Sequence, residues 1–380
     1  SHGVKPDGLY DTMSMAEIAL PAGPEYSLRR LSQRFGFSHD NPHRALSDAL
    51  VTRDLFLYLV GIIEGFDRPV LEQIKKLGEH SRTPLAALVS RILDRDDSPL
   101  LPTSDSLTGI DPKELSLRLR SSGKTPSIKP HKYDKDDNAT QEISVAVDDI
   151  FGGGGSLEKS LPGFESRPEQ VEMAKAIASA IENGEHLVVE AGTGVGKSLA
   201  YLIPTILHAM RTGAKVVIST NTINLQEQLI TKDIEITRTA LTEFGESPDK
   251  MRVSQLKGRA NYVCFKRWQN AVLSTQPNDL ESKLLSKLLV WLRDTETGDR
   301  TELALGRLTS MFGRFSAQGA VMCPSNDGPC FLRKARNQAN ASNVLIINHA
   351  LLMSDIAMGG GLLPDYDVLI IDEAHHLEST

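Results

Sequence analysis

Cysteine is scarce in this sequence, with three among 380 residues. That is too few for a disulfide framework, and a reducing, cytoplasmic setting is expected. Long apolar runs are lacking as well. The longest, Leu55 to Ile63, is broken by Tyr58 and Gly61. It falls short of the roughly 20 residues a bilayer-crossing helix needs and reads as the end of a buried helix. No basic start with an apolar stretch follows Ser1, so neither a signal peptide nor a membrane is expected. A surplus of positive charge is also missing, the net charge being -7. Whole-chain acidity does not exclude a nucleic-acid binder, because only the surface that tracks the strand needs positive potential.

What is present divides the chain by composition. At 40% hydrophobic, 380 residues suffice for two or three domains with their own cores. Residues 1–66 mix turn signals with amphipathic stretches such as Tyr26 to Phe35 and His43 to Ile63. Residues 67–155 read as a helical segment and then a polar linker. The linker carries prolines at 99, 102, 112, 126 and 130, some helix near Pro112 to Leu119, and four closing glycines, Gly152 to Gly155. From 156 onward come short apolar runs that do not alternate: Leu187–Glu190, Lys215–Ser219, Val344–Ile347 and Val368–Ile371. Such runs suit strands buried on both faces of a parallel sheet. Two basic clusters stand out. In one, Lys257, Arg259, Lys266 and Arg267 interleave with Tyr262, Phe265 and Trp268; the other is Arg333, Lys334 and Arg336. Cations with rings suit a single strand, and they equally suit a solvated helix face over core aromatics.

Two motifs carry chemistry. Ala191-Gly-Thr-Gly-Val-Gly-Lys-Ser198 follows an apolar run and opens a helical one. Gly192, Thr193, Gly194 and Gly196 let backbone N–H groups curl around phosphates, and the helix start adds partial positive charge. Lys197 would reach the β- and γ-phosphates of ATP, and Ser198 would ligate Mg²⁺. Val368 to Ile371 ends in Asp372-Glu-Ala-His375, placing two carboxylates at the edge where parallel sheets bind ligands. Asp372 would hold Mg²⁺, and Glu373 would orient and deprotonate the attacking water.

Asp372 to His375 resembles the DEAH box of superfamily 2 helicases, and neighbouring segments resemble the DinG and XPD branch. By that resemblance Phe164 to Gln170 recognises adenine, with Gln170 as its reader. Ser219 to Gln226 is similar to motif Ia, which implies DNA-backbone contacts from Thr220, Thr222 and Gln226. Thr297 to Glu302 and Asn348 to Leu352 also match. Lys197 and Asp372 lie 175 positions apart, so the lobe holds an insertion at about 257–340 containing Cys264, Cys323 and Cys330. In this branch the insertion houses a [4Fe–4S] cluster on four cysteines. Here the fourth would fall near Gln318, no substitute stands out, and a stable cluster is not expected.

Asn41-Pro-His43 to Asp48-Ala sets a histidine five residues before an aspartate, with Asn41 as expected N-cap and Pro42 at the first helical position. With Leu9 to Ala16 and Tyr26 to Gly36, it resembles the last third of DEDDh exonucleases of the DnaQ type. The resemblance makes His43 the base and Asp48 a metal ligand, with Asp11 structural. The expected fold is therefore α/β: a RecA-like P-loop lobe with a parallel sheet and a helical insertion, preceded by the C-terminal part of a ribonuclease H-like exonuclease domain. The expected function is an ATP-dependent DNA helicase coupled to a 3′–5′ exonuclease, acting on single-stranded or forked DNA in repair or replication, with no obligate protein partner evident. The alternatives are an ATP-regulated exonuclease and a nucleotide-dependent DNA-binding module without unwinding. The chain reads as a piece cut at both ends.

Overall fold

A computed structural model of the chain describes residues 10–23, 25–38, 44–79, 83–95, 109–121, 142–192, 194–274, 276–319 and 328–379. Contacts divide it into two units: Ser1–Lys124 with Arg259–Lys334, and Thr125–Gly258 with Ala335–Thr380.

The second unit is built on a parallel sheet of four strands: β1 (Val216–Thr220), β2 (Val253–Gln255), β3 (Val344–Asn348) and β4 (Val368–Ile371). The spatial order is β2-β3-β1-β4. Val216 faces Val344 on one side and Val368 on the other, so the three apolar runs lie level. The side chains of β1 and β3 are buried nearly throughout, as continuous apolar strands require, and those of β4 are half-buried. Helices Pro168–Asn183 and Lys197–Thr212 join the sheet in one core that includes Ile177, Leu202, Ile206, Ile218 and Ile346. Pro168 starts the first at a position where no N–H partner is needed. Gly213 ends the second in the left-handed region, φ 74°.

Two sequence expectations are corrected here. Leu187 to Glu190 does not form a strand, and Val188 is 97% exposed. β-branched composition alone is insufficient, because a strand exists only where a neighbour completes its hydrogen bonds. Among the described residues none pairs with this run. The helix expected from Asn41 and Pro42 begins at Ala45 after Arg44, which makes no side-chain cap; Asn41 to His43 lie outside the described residues. Within the polar stretch, Ile143–Phe151 is helical. Its Ile143, Ala146, Val147, Ile150 and Phe151 face the core of the second unit.

The described part of the first unit is helical and joins distant sequence. Helix Asp279–Asp294, capped by Asn278, buries nearly every side chain between Glu281 and Leu292. It packs against helices Thr12–Ala19 and Arg68–Glu79. Lys283 pairs with Glu17, and Arg293 with Asp67. Lys287 is fully buried, donates to the Ala304 carbonyl at 2.7 Å and lies 4.7 Å from the centre of the Tyr26 ring. Arg118, on helix Pro112–Ser121, donates to the carbonyls of Leu292 and Thr295 at 2.7 and 3.0 Å. Residues of the insertion and of the N-terminal helices thus share one core.

Candidate active site

The phosphate loop turns on two glycines. Gly194 and Gly196 both have φ near 83°, where a side chain would be strained. A Cβ on Gly196 would also lie 2.3 Å from the Gln170 amide nitrogen. That contact follows from helix Pro168–Asn183, which sets Gln170 against the loop. Gln170 is buried, and its amide donates to the Gly196 carbonyl at 2.9 Å. Arg167 donates to the Gly194 carbonyl from the same segment. Lys197 and Ser198 then open helix Lys197–Thr212, both half-buried. Thr193 lies outside the described residues.

β4 delivers the acidic pair to the same place. The Asp372 amide donates to the Ser219 carbonyl at 2.9 Å, extending the ladder one residue past the strand. Glu373 then adopts φ 54°, the one non-glycine residue with positive φ among those described. A bulky residue in that region is disfavoured and is held there only by its surroundings. The turn aims its carboxylate at Lys197, with Nζ 3.3 Å from Oε1. Tyr201, one helical turn beyond Lys197, donates to Asp372 Oδ2 at 3.2 Å. Lys197, Ser198, Asp372 and Glu373 are 175 residues apart in sequence and adjacent in space.

The electrostatics follow from burial. Desolvation, then the charge of Glu373, pushes the Asp372 carboxyl above the ordinary aspartate range. Burial, then the charge of Asp372, raises the Tyr201 phenol well above its usual value, so it remains a donor. His349 is fully buried behind the site, with Nδ1 2.7 Å from the Ser219 hydroxyl. Burial lowers its pKa and keeps it neutral.

Other candidate residues are placed differently. Gln226 is fully buried and donates to the carbonyls of Leu256 and Ile346 at 3.1 and 2.8 Å. Thr220 is also buried, while exposed Thr222 caps helix Ile223–Gln228 by accepting from the Leu225 amide. Of these three, only Thr222 presents a side chain to solvent. The rings of Tyr262, Phe265 and Trp268 are core residues, and buried Lys257 pairs with Glu227, so the basic-aromatic cluster is no stacking platform. Asp11 caps helix Thr12–Ala19, accepting from the Met13 amide at 3.0 Å and the Ser14 hydroxyl at 2.6 Å. Asp48 is half-buried on helix Ala45–Glu64; His43 lies outside the described residues. Cys264 and Cys330 are half-buried in the first unit, and Cys323 is outside the described residues. No described helix is long and apolar enough to cross a membrane.

Residues 168–288 match the DEAD/DEAH box helicase family. The chain carries a DEAD/DEAH box helicase domain. Its phosphate loop lies inside the match and its acidic box 84 residues beyond, brought back by β4. The chain is 31% identical over 375 residues to the 3′-5′ exonuclease DinG of Bacillus subtilis, an alignment covering 97% of this chain and 38% of that protein. It is 35% identical over 257 residues to the ATP-dependent helicase DinG of Mycobacterium tuberculosis, covering 63% and 38%. It is 38% identical over 240 residues to the ATP-dependent DNA helicase YoaA of Escherichia coli, covering 60% and 36%. The chain thus spans under two-fifths of the length of these relatives.

Proposed function

We propose that this DEAD/DEAH lobe binds and hydrolyses ATP to drive movement along single-stranded or forked DNA, in a protein that also degrades DNA 3′ ends. The work would be repair or replication in the cytoplasm, with no membrane and no obligate partner protein. The observation that carries this reading is the 3.3 Å approach of Lys197 to Glu373. It sets a phosphate-binding cation beside a carboxylate able to accept a proton from water. When phosphates draw Lys197 away, Glu373 is released to orient that water. Gln170 ties the loop to the segment that would read adenine. Oxygen donors suit Mg²⁺, and the Ser198 hydroxyl and Asp372 carboxylate fit that chemistry on adjoining elements. When bound, Mg²⁺ would offset phosphate charge there. Thr222 would meet the DNA backbone; Thr220 and Gln226 would position it from beneath.

Equilibrium titration of the chain with an ATP analogue reads the nucleotide site. Lys197→Ala should weaken binding at least tenfold, whereas Glu373→Gln should bind as tightly as the unchanged chain or more so. Equal affinity in all three would remove the phosphate-loop assignment.

The exonuclease part of the reading rests on coverage. The relative named as an exonuclease aligns with 97% of this chain, and those named as helicases with about three-fifths. His43 would act as base, and Asp48 would hold metal. Asp48 is one carboxylate, however, and a metal pair needs several to offset its charge. The 380-residue chain should therefore not cleave DNA by itself.

The cysteines do not match a cubane cluster. Three are present, and [4Fe–4S] centres take four thiolates. The insertion is proposed to hold no stable cluster, its fold resting instead on the core around helix Asp279–Asp294. Iron and sulfide analysis after anaerobic purification should find well under one cluster per chain. Stoichiometric iron with a brown colour would contradict this.

A further inference from the structure

Behind the phosphate loop, the helical stretch after β1 changes its winding. Helix Ile223–Gln228 passes into a π turn, Leu229–Asp233, and resumes as helix Ile234–Phe244. A π turn inserts a residue and re-aims the side chains at its end, and such turns recur at functional sites. The residue re-aimed here is Asp233. Its backbone carbonyl accepts from the Thr237 hydroxyl at 2.8 Å, which fixes the turn. Its side chain is 7% exposed, and Oδ2 has no hydrogen-bond partner. The π turn packs against helix Lys197–Thr212, which Ser198 opens, and the Asp233 carboxyl feels the charge of Lys232, the Ser198 hydroxyl and the charge of Asp372. A buried carboxylate oxygen without a partner is destabilising, and the charge of Lys232 offsets this only in part. Burial accordingly pushes the Asp233 carboxyl above the ordinary range.

We propose that Asp233 is a positioning residue of the Mg²⁺ site: it accepts the Ser198 hydroxyl proton, turns that oxygen's lone pairs toward the metal, and sets a second negative charge beside Asp372. This rests on the nucleotide-site reading above and assigns a group from outside both sequence motifs. Ser198 has one proton to donate. Given to Asp233, it leaves both lone pairs of the oxygen for a cation, while the other neighbour of that hydroxyl, Tyr201, donates to Asp372. The unpartnered Oδ2 supplies the further acceptor that a water in a metal's hydration shell requires.

The test uses Mn²⁺ as the metal, ADP as the nucleotide and the 380-residue chain. Electron paramagnetic resonance gives Mn²⁺ affinity in the presence of ADP, and ADP affinity is measured separately in a chelator. Asp233→Asn should weaken Mn²⁺ binding by about 10- to 100-fold, the usual effect of losing an outer-shell partner. ADP affinity without metal should not change. Asp233→Ser is a second variant without the charge, and both should melt no lower than the unchanged chain when metal is absent. Unaltered Mn²⁺ affinity in either folded variant would overturn the proposal. So would a parallel fall in metal-free ADP affinity or in melting temperature, either of which marks a structural role. If the unchanged chain bound no Mn²⁺–ADP while Asp233→Asn behaved identically, the nucleotide-site reading itself would fall.

Discussion

Single residues show how far burial tunes this molecule. Lys287 is fully buried in the first unit, which pushes its pKa down to about 8; burial pushes Tyr26, 3.2 Å away, up to about 12. A base with depressed pKa destabilises the folded state at low pH and regains stability as pH rises from about 8 to its unfolded value. A phenol with raised pKa does the reverse between its unfolded value and about 12. Chemical denaturation across the alkaline range should show stability climbing from about pH 8 to 10 and falling beyond it. Tyr26→Phe should lessen the fall, leaving the share that the raised Tyr201 phenol contributes, and keep the climb. A flat profile would mean that neither group is desolvated as the structure has it. At the candidate site, the meeting of the Lys197 segment with Asp372 and Glu373 was legible, because the two motifs are proposed to serve one nucleotide. Asp233 was not, since one aspartate in an amphipathic helix carries no signal until a π turn aims it inward.

Secondary elements were legible where one segment holds the whole reason for them. β1, β3 and β4 lie where continuous β-branched runs put them, and Thr222 and Asn278 cap helices as their side chains suit. Helix Ile143–Phe151 sat unread inside a polar stretch, though Ile143, Ala146, Val147 and Ile150 recur at helical spacing, a signal that could have found it. Leu187 to Glu190 failed for the opposite reason. Its composition suits a strand, but pairing is a property of two segments, and no second segment among the described residues supplies it. Gln226 shows a third case. The motif suggested a DNA contact, and burial turned the side chain into a brace between β3 and the segment following β2.

At the scale of the whole chain, the apolar runs announced a parallel sheet, and nothing announced the partner of the insertion. Helix Asp279–Asp294 mixes leucines with Glu281, Ser282, Ser286 and Lys287, all buried, so its composition neither announces how fully it is covered nor names what covers it. Its cover comes from helices more than 200 residues earlier, with Glu17 and Asp67 meeting Lys283 and Arg293. Nothing local encodes such a pairing. The central proposal is that one protein holds two separate chemistries, ATP hydrolysis at Lys197 and Glu373 and 3′-end cleavage at His43 and Asp48. The most direct measurement is to assay both activities on one full-length protein carrying either His43→Ala or Lys197→Ala. His43→Ala should slow 3′-end degradation at least 100-fold, the lower range for loss of a general base, and leave DNA-stimulated ATP hydrolysis intact. Lys197→Ala should do the reverse to ATP hydrolysis and leave metal-dependent cleavage standing. Loss of both activities in either variant, or survival of cleavage in His43→Ala, would contradict the account.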